Sequence, residues 1–150
     1  MIQDEMEFME NLQMVISSIR KKLKPVIQQK MAPYGITLPQ FNIMMALHKE
    51  GATRVTQVAD FMNVKPSAIT VIMDRLIERN VVKRYQSKED RRVVMMELTS
   101  EGCRLLKEMK ITYKEVMSKY IAHFTLAEMT YMLEMFEKFD EIISEENTAE

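Results

Sequence analysis

The sequence is short of cysteine and glycine, and it contains no long apolar run. Its 150 residues include one cysteine and three glycines. A single cysteine excludes an intramolecular disulfide, and with it a disulfide-stabilised secreted scaffold. The sequence has no glycine-rich phosphate-binding loop and no Gly-x-Ser-x-Gly nucleophile elbow. No segment approaches the roughly 18 to 20 apolar residues of a membrane span.

Signals for export, metal binding and catalysis are also missing. The first ten residues are acidic and no long apolar run follows them, so we expect no signal peptide and a cytoplasmic protein. His48 and His123 stand far apart and share no metal-ligand spacing, so we expect no metal site and no cofactor. No pair of carboxylates stands out from the charged helix faces. The sequence therefore predicts a protein that is not an enzyme.

Two short helical patterns separated by a tight turn lie in the middle of the chain. The first follows Thr56, which we expect to cap it, and places Val58, Phe61 and Met62 on one buried face. The second begins at Pro66, because a proline at the first helical position forfeits no hydrogen bond. The apolar stripe of this second helix consists of Ile69, Ile72, Met73 and Leu76.

The outward face of the second helix is small and polar near its start. Such a face lets a helix enter the major groove of DNA, since bulky side chains would hold its backbone away from the base edges. Asn80 closes the helix, because asparagine tolerates the left-handed conformation usual after a helix end. The candidate DNA-contacting residues here are Lys65, Ser67, Ala68, Thr70, Val71 and Arg75.

A charged hairpin follows the second helix. Residues 81–85 and 92–98 are rich in β-branched and apolar side chains, whereas the stretch between them is polar, which predicts two strands joined by a solvated tip. Beside a helix-turn-helix, such a hairpin is a wing whose arginines follow the phosphate backbone or reach into a minor groove. The candidate DNA-contacting residues of the wing are Lys83, Arg84, Lys88, Asp90, Arg91 and Arg92.

The charge of the chain is balanced overall but divided along the sequence. Twenty-one basic and 22 acidic residues give a net charge of −1, which is not typical of a generally basic nucleic-acid binder. Between Lys65 and Arg92, however, eight basic residues stand against four acidic ones. From His123 to Glu150 a single lysine accompanies eight acidic residues. This division predicts a basic DNA-binding head and an acidic rear that disfavours binding by the wrong face.

The chain contains four short motifs, namely Asp90-x-Arg92, Leu98-Thr99-x-x-Gly102, Ser67-Ala68-Ile69-Thr70 and Asp74-Arg75-Leu76. These motifs resemble those of the MarR family of bacterial transcriptional regulators, over nearly the whole chain. The resemblance implies that Arg92 enters the minor groove and that Asp90 orients the wing by pairing with a nearby arginine. Val71 lies where the family often has a basic residue, and it can offer a base only apolar contact, for example to a thymine methyl group. Asn80 replaces a common glycine.

The remaining sequence is helical, and we predict that it serves assembly. A first helix covers residues 4–31, although Pro25 should kink or split it. Capping signals at Thr37, Thr99 and Thr125 each open a further helix. The apolar stripes of the terminal helices exceed what one small core can cover, which predicts a partner. The resemblance implies a second copy of the chain, and a twofold dimer would present two recognition helices roughly 34 to 36 Å apart to a palindromic operator.

We therefore predict a mainly α (α+β) protein with a single domain over residues 1–150. Its winged helix-turn-helix DNA-binding core covers residues 37–99, and its dimerisation helices cover residues 1–32 and 100–145. The leading interpretation is a dimeric transcriptional repressor that binds a palindromic operator in double-stranded DNA and responds to a small molecule. The alternative is a winged-helix module that binds another protein, which the near-neutral net charge and Val71 favour. The basic wing favours DNA, because a protein-binding module has no reason to gather basic side chains on one hairpin.

Only the positions of the methionines indicate which kind of small molecule such a regulator senses. Several of the 16 methionines lie on helices that the family fold packs around a cavity between the dimer helices and the DNA-binding core. A flexible, methionine-lined pocket accepts varied apolar or aromatic ligands, but methionine on a helical stripe is more often simple core packing. The candidate ligand-binding residues are Met9, Met14, Tyr34, Met44, Met45, Met109 and Tyr113, with the two tyrosines as polar handles.

Overall fold

The computed structural model describes residues 5–148, with side chains up to residue 145. It confirms the predicted mainly α fold with a small winged helix-turn-helix sheet. Within the described range, no helix is long and apolar enough to cross a membrane. In chain order the elements are α1 (Glu5–Met31), a 3-10 turn (Ala32–Tyr34), α2 (Leu38–Glu50), β1 (Thr53–Arg54), α3 (Val55–Met62), α4 (Pro66–Glu78), β2 (Val82–Gln86), β3 (Val94–Leu98), α5 (Ser100–Ile121) and α6 (Leu126–Thr148).

The chain divides into two compact units. The first ends at Val116 and the second begins at Met117, so the boundary falls inside α5. The first unit contains a single apolar core to which α1, α2, α3, α4, the sheet and α5 all contribute. The assignment of residues 37–99 to DNA binding and of 1–32 and 100–145 to dimerisation stays a prediction. The largest fully buried side chains are Met31, Ile43, Met44, Leu47, Ile69, Met73, Leu76, Met96, Leu106, Met109, Val58 and Val81.

Three helices begin at the capping signals that the sequence predicts. In α2 the Thr37 backbone N–H donates to the Gln40 side chain at 2.9 Å, and the Gln40 N–H donates to the Thr37 hydroxyl at 3.4 Å. Helix α4 starts with Pro66 at its first position. At α6 the Thr125 N–H donates to the Glu128 carboxylate at 2.8 Å, which holds the pKa of Glu128 below its usual value. Local hydrogen bonds therefore fix the starts of α2 and α6, and Pro66 fixes that of α4.

Helix α3 departs from the prediction at its start and on its buried face. It begins at Val55, so Thr56 does not cap it. The Arg54 N–H instead donates to the Gln57 side chain at 3.1 Å, because β1 brings the chain to the helix start two residues earlier than the capping pattern indicated. Phe61 is 60% exposed rather than buried.

Helix α1 runs continuously through Pro25, so the predicted split does not occur. Its apolar stripe is buried only near the end that joins α2, where Ile27 and Met31 enter the core. Towards its start the side chains of Phe8 and Val15 are 44% and 54% exposed. The first unit therefore leaves most of the apolar stripe of α1 uncovered.

The sheet is antiparallel, with strand order β1, β3, β2. Strands β2 and β3 form the predicted hairpin, in which Lys83 lies opposite Glu97. The third strand, β1, places Thr53 opposite Met96. Its two residues are too few to show an alternating pattern, so the sequence offered no signal for it.

Both helices of the helix-turn-helix end at an asparagine in the left-handed conformation. Asn63 and Asn80 have φ angles of 51° and 56°. Beyond Asn80, the Val81 N–H donates back to the Leu76 carbonyl at 2.9 Å, and the Asn80 N–H donates to the Ile77 carbonyl at 2.8 Å. This paired arrangement closes the last turn of α4 in the manner of a Schellman motif. It also directs the chain straight into β2.

Thr99 joins the end of α4 to the start of α5. Its hydroxyl donates to the Asn80 carbonyl at 2.6 Å and accepts from the Gly102 N–H at 2.9 Å, and its own N–H donates to the Val81 carbonyl at 3.0 Å. At Gly102 the α5 backbone passes so close to the Val81 carbonyl that an added Cβ would overlap the oxygen. Close approach therefore explains the Leu-Thr-x-x-Gly motif.

Replacing Gly102 with alanine should destabilise the protein strongly. The new methyl group would collide with the Val81 carbonyl oxygen and push α5 away from the junction. We expect the free energy of unfolding to fall by about 2 to 4 kcal/mol, as for other overpacked sites. Urea denaturation followed by circular dichroism measures this loss.

The matched control is Gly51→Ala. Gly51 has a φ of +73°, but no atom lies within 4 Å of an added Cβ. Only the backbone conformation, with φ +73° and ψ −145°, opposes alanine there, at a cost of about 1 to 3 kcal/mol. Equal losses in the two variants would contradict a specific collision at Gly102.

Candidate nucleic-acid interface

Helix α4 buries one face and presents the other to solvent. Ile69, Met73 and Leu76 are fully buried, which anchors the helix in the core. Val71 is 60% exposed on the opposite side. The Thr70 hydroxyl donates to the Pro66 carbonyl at 3.1 Å, so it keeps only acceptor capacity for an outside donor. The structure brings the predicted contact residues of this helix to the surface together, namely Ser67, Ala68, Thr70, Val71 and Arg75.

The tip of the wing is held by backbone hydrogen bonds around Asp90. Its carboxylate accepts from the Arg92 backbone N–H at 2.9 Å, and its carbonyl accepts from the Val93 N–H at 2.9 Å. The Ser87 N–H donates to the Val93 carbonyl at 2.9 Å and closes the loop. Asp90 thus shapes the tip through the backbone of Arg92 and not through an arginine side chain, which corrects the pairing implied by the family resemblance.

One predicted contact residue of the wing already has a partner. The Lys83 ammonium lies 2.6 Å from the Glu97 carboxylate on the neighbouring strand, and this hydrogen bond raises the pKa of Lys83. Lys83 is therefore less available to a phosphate than its neighbours. The remaining predicted cations are exposed and make no ion pair within residues 5–145, namely Lys65, Arg75, Arg84, Lys88, Arg91 and Arg92.

Arg79, which the sequence analysis did not single out, locks the end of α4 to the turn after α1. Its guanidinium donates to the carbonyls of Gly35 and Tyr34 at 2.5 and 2.8 Å. The Tyr34 hydroxyl in turn lies 2.7 Å from the Thr112 hydroxyl of α5. Helix α4, hereafter the reading helix, is thereby connected to both the turn after α1 and α5. In the sequence, Arg79 looks like any other surface arginine, so no pattern could have revealed this role.

The predicted methionine pocket is spread over different environments. Met44 and Met109 are fully buried in the core, whereas Met9, Met14 and Met45 are 37%, 69% and 36% exposed. The two tyrosines are half-buried: Tyr34 bonds to Thr112, and the Tyr113 ring centroid lies 5.7 Å from that of Phe41. The buried pair of methionines packs as ordinary core. A ligand role for the seven residues stays a prediction.

Buried anchors, a small exposed helix face and an adjoining basic wing define the winged helix-turn-helix class of proteins. The model of the MarR family matches residues 36–94, from before α2 to the start of β3. The chain is 32% identical to the HTH-type transcriptional repressor MdtR of Bacillus subtilis, over 82% of this chain and 79% of that protein. The chain belongs to the MarR family of transcriptional regulators.

Solved structures carry the same fold over most of the chain. A MepR-like protein complexed with pseudoligands is 42% identical with a TM-score of 0.63, covering 89% of this chain and 94% of that one. A mutant MarR from Escherichia coli complexed with operator DNA is 19% identical with a TM-score of 0.77, covering 91% and 99%. At that identity the second comparison supports the fold alone.

Removing the guanidinium of Arg79 should loosen the reading helix. We expect Arg79→Ala to lower the free energy of unfolding by about 1 to 2 kcal/mol, because two charge-assisted hydrogen bonds to backbone carbonyls are lost. Arg79→Lys should give an intermediate loss, since one ammonium cannot span both carbonyls in the same way.

Thermal unfolding of these variants beside Arg20→Ala makes the comparison. Arg20 is an exposed arginine within α1, so its removal controls for the loss of one positive charge. If Arg79→Ala matched Arg20→Ala, the two hydrogen bonds would carry no net stabilisation.

Proposed function

We propose that this protein is a dimeric repressor that binds a palindromic operator and leaves it when a small molecule binds. One observation carries the proposal: the small, exposed face of α4 occurs together with a hydrogen-bonded wing tip whose arginines, Arg91 and Arg92, make no ion pair within residues 5–145. The repressor named MdtR, which shares 32% identity, supports the direction of regulation. The protein acts through binding and not as an enzyme.

The reading face supports groove insertion by its size and chemistry. From Ser67 to Val71 it offers a hydroxyl, a methyl group and a branched apolar side chain, which can approach base edges closely. Val71 suits the methyl group of thymine. The wing complements this face, because Arg92 is held by its backbone through Asp90 while its guanidinium remains free to enter a minor groove. Phosphate contacts by Lys88 and Arg91 would fix the register.

The exposed apolar stripes support a second copy of the chain as partner. In α6, considered by itself, Leu133, Phe136 and Phe139 are 59%, 48% and 44% exposed. No side chain of α6 is buried up to residue 145. Contiguous apolar surface of this kind marks an interface, and the equivalent exposed stripe of α1 offers a complementary surface. A twofold dimer then requires a palindromic or nearly palindromic site.

Selection of DNA fragments from a random pool tests the operator. Wild-type protein at physiological ionic strength should enrich a palindrome, and Arg92→Ala should weaken binding to that palindrome by roughly 1 to 3 kcal/mol, as expected for a groove contact. Arg20→Ala should bind as the wild type does. Enrichment of no sequence above a salt-sensitive background would favour the protein-binding alternative, and an Arg92→Ala protein that only unfolds more easily would remove the groove contact.

The dimer is tested by mass in solution. Light scattering at micromolar concentration should give twice the chain mass of 17.7 kDa. Charges placed in the α6 stripe by Phe136→Asp and Phe139→Asp should shift the protein to the monomer, because each would be buried without a partner at the interface. Glu137→Gln serves as the control on the same helix. A wild-type monomer at this concentration would remove the argument for a palindrome.

A further inference from the structure

Arg79 lies at the end of the reading helix that is farthest from the residues proposed to contact bases. It follows the last helical residue, Glu78, and Ser67 lies roughly 18 Å away at 1.5 Å per residue. Its guanidinium donates to the carbonyls of Gly35 and Tyr34. Because both bonds engage the guanidinium at the turn after α1, the side chain is not free for a base or a phosphate.

The turn that accepts these two bonds is itself fixed in place. Met31 before it and Ile36 after it are 0% and 4% exposed, so both of its ends are anchored in the core. Within the turn, the Gly35 N–H donates to the Ala32 carbonyl at 2.9 Å. The two carbonyls are therefore held in position by the end of α1, and Arg79 joins the reading helix to them.

Burial of the apolar stripe does not by itself fix the inclination of the reading helix. Ile69, Met73 and Leu76 hold the helix in the core, but apolar attraction has no direction. Hydrogen bonds from a planar guanidinium to two carbonyls have a narrow angular preference and specify both position and direction. The end of the helix is thus held towards α1 by Arg79 and towards α5 by the Thr99 hydroxyl, which donates to the Asn80 carbonyl.

We infer that Arg79 is a positioning residue for operator recognition, which sets the distance between the two reading helices of the dimer without contacting DNA. Helix α1 presents the exposed apolar stripe proposed for the dimer, the turn continues from α1, and Arg79 joins that turn to the reading helix. The inference rests on the proposed function for the dimer and its palindrome. Without Arg79 each reading helix can change its inclination, so half-sites at more than one spacing become acceptable.

The spacing of the half-sites tests this role. The selected operator is compared with versions in which one base pair is inserted or removed between the half-sites, which moves them by about 3.4 Å. The wild type should bind the altered operators about tenfold less tightly or worse, a loss comparable to that of a mismatched base pair. Arg79→Ala should lose only about threefold, because its reading helices adapt. Arg20→Ala should discriminate as the wild type does.

Two further variants separate the turn from its surroundings. Gly35→Ala disturbs the same bonds from the other side, because Gly35 has a φ of +63° and an added Cβ would lie 3.3 Å from the Arg79 guanidinium. It should relax the discrimination as Arg79→Ala does, and the two substitutions combined should relax it no further. Thr112→Val removes the hydroxyl that bonds to Tyr34 and leaves both carbonyls in place, so it should discriminate as the wild type does.

The salt dependence of binding distinguishes positioning from a phosphate contact. If Arg79 bound a phosphate, Arg79→Ala would reduce the salt slope by about one unit, and Arg79→Lys would restore the affinity for DNA. A positioning residue leaves the slope unchanged. Arg79→Lys should then restore only part of the spacing discrimination, since one ammonium cannot donate to both carbonyls with the geometry of a guanidinium.

Amide hydrogen exchange tests the same link without DNA. The N–H groups of Asn80 and Val81 donate to the carbonyls of Ile77 and Leu76 in the last turn of the reading helix. Arg79→Ala should speed the exchange of these two amides by about tenfold through local opening. This rise should exceed any change at Met73, in the middle of the helix, which reports the stability of the whole core.

Three results would overturn the inference: spacing discrimination in Arg79→Ala equal to that of the wild type, a salt slope lowered by one unit, or unchanged exchange at Asn80 and Val81. Failure to select any palindrome would instead remove the proposed function and, with it, the role of Arg79 in operator spacing. The exchange measurement contains no DNA, so it decides separately whether Arg79 holds the reading helix.

Discussion

The junction of Asn80, Thr99 and Gly102 determines how the reading helix, the wing and α5 are arranged. Four elements meet there, because α4 ends, β2 starts, β3 ends and α5 starts within a few ångströms of the same two carbonyls. The Thr99 hydroxyl bonds to both α4 and α5 there, and the absence of a side chain at Gly102 leaves room for the Val81 carbonyl. These hydrogen bonds therefore fix the reading helix and the wing to one another, since neither can tilt without breaking them.

Charge in the described chain falls into two groups with different uses. Arg104 is engaged by Glu101 and Glu108, and Lys83 by Glu97, so these cations stabilise local structure or the sheet. The cations Lys65 and Arg75 of the reading helix and Lys88, Arg91 and Arg92 of the wing tip make no ion pair within residues 5–145. An unpaired cation on a folded surface costs little in water and keeps its attraction for an anion. The distribution separates structural charge from charge available for binding.

Local signals in the sequence predicted most of the fold. Thr37 and Thr125 mark helix starts through hydrogen bonds made within four residues, and Pro66 marks one through its fixed φ and missing N–H, so the local sequence contains the whole effect. Contacts made across the fold gave no such signal. The two-residue strand β1 exists only because Met96 is there to pair with, and the error at Thr56 follows from missing that strand. The position of the wing was predictable, but the pairing of Lys83 depended on strand register.

Arg79 holds the turn after α1 by its backbone carbonyls and touches no side-chain group there through these bonds. The two bonds consequently do not depend on the side chain of Tyr34, whereas position 35 is restricted, because Gly35 has a φ of +63° and an added Cβ would lie 3.3 Å from the Arg79 guanidinium. Substitutions at Tyr34 could change the bond to α5 and leave the bond to α4 intact. A change of side chain at Tyr34 is therefore distinguishable from a change in the path of the turn's backbone, because only the second disturbs the end of α4.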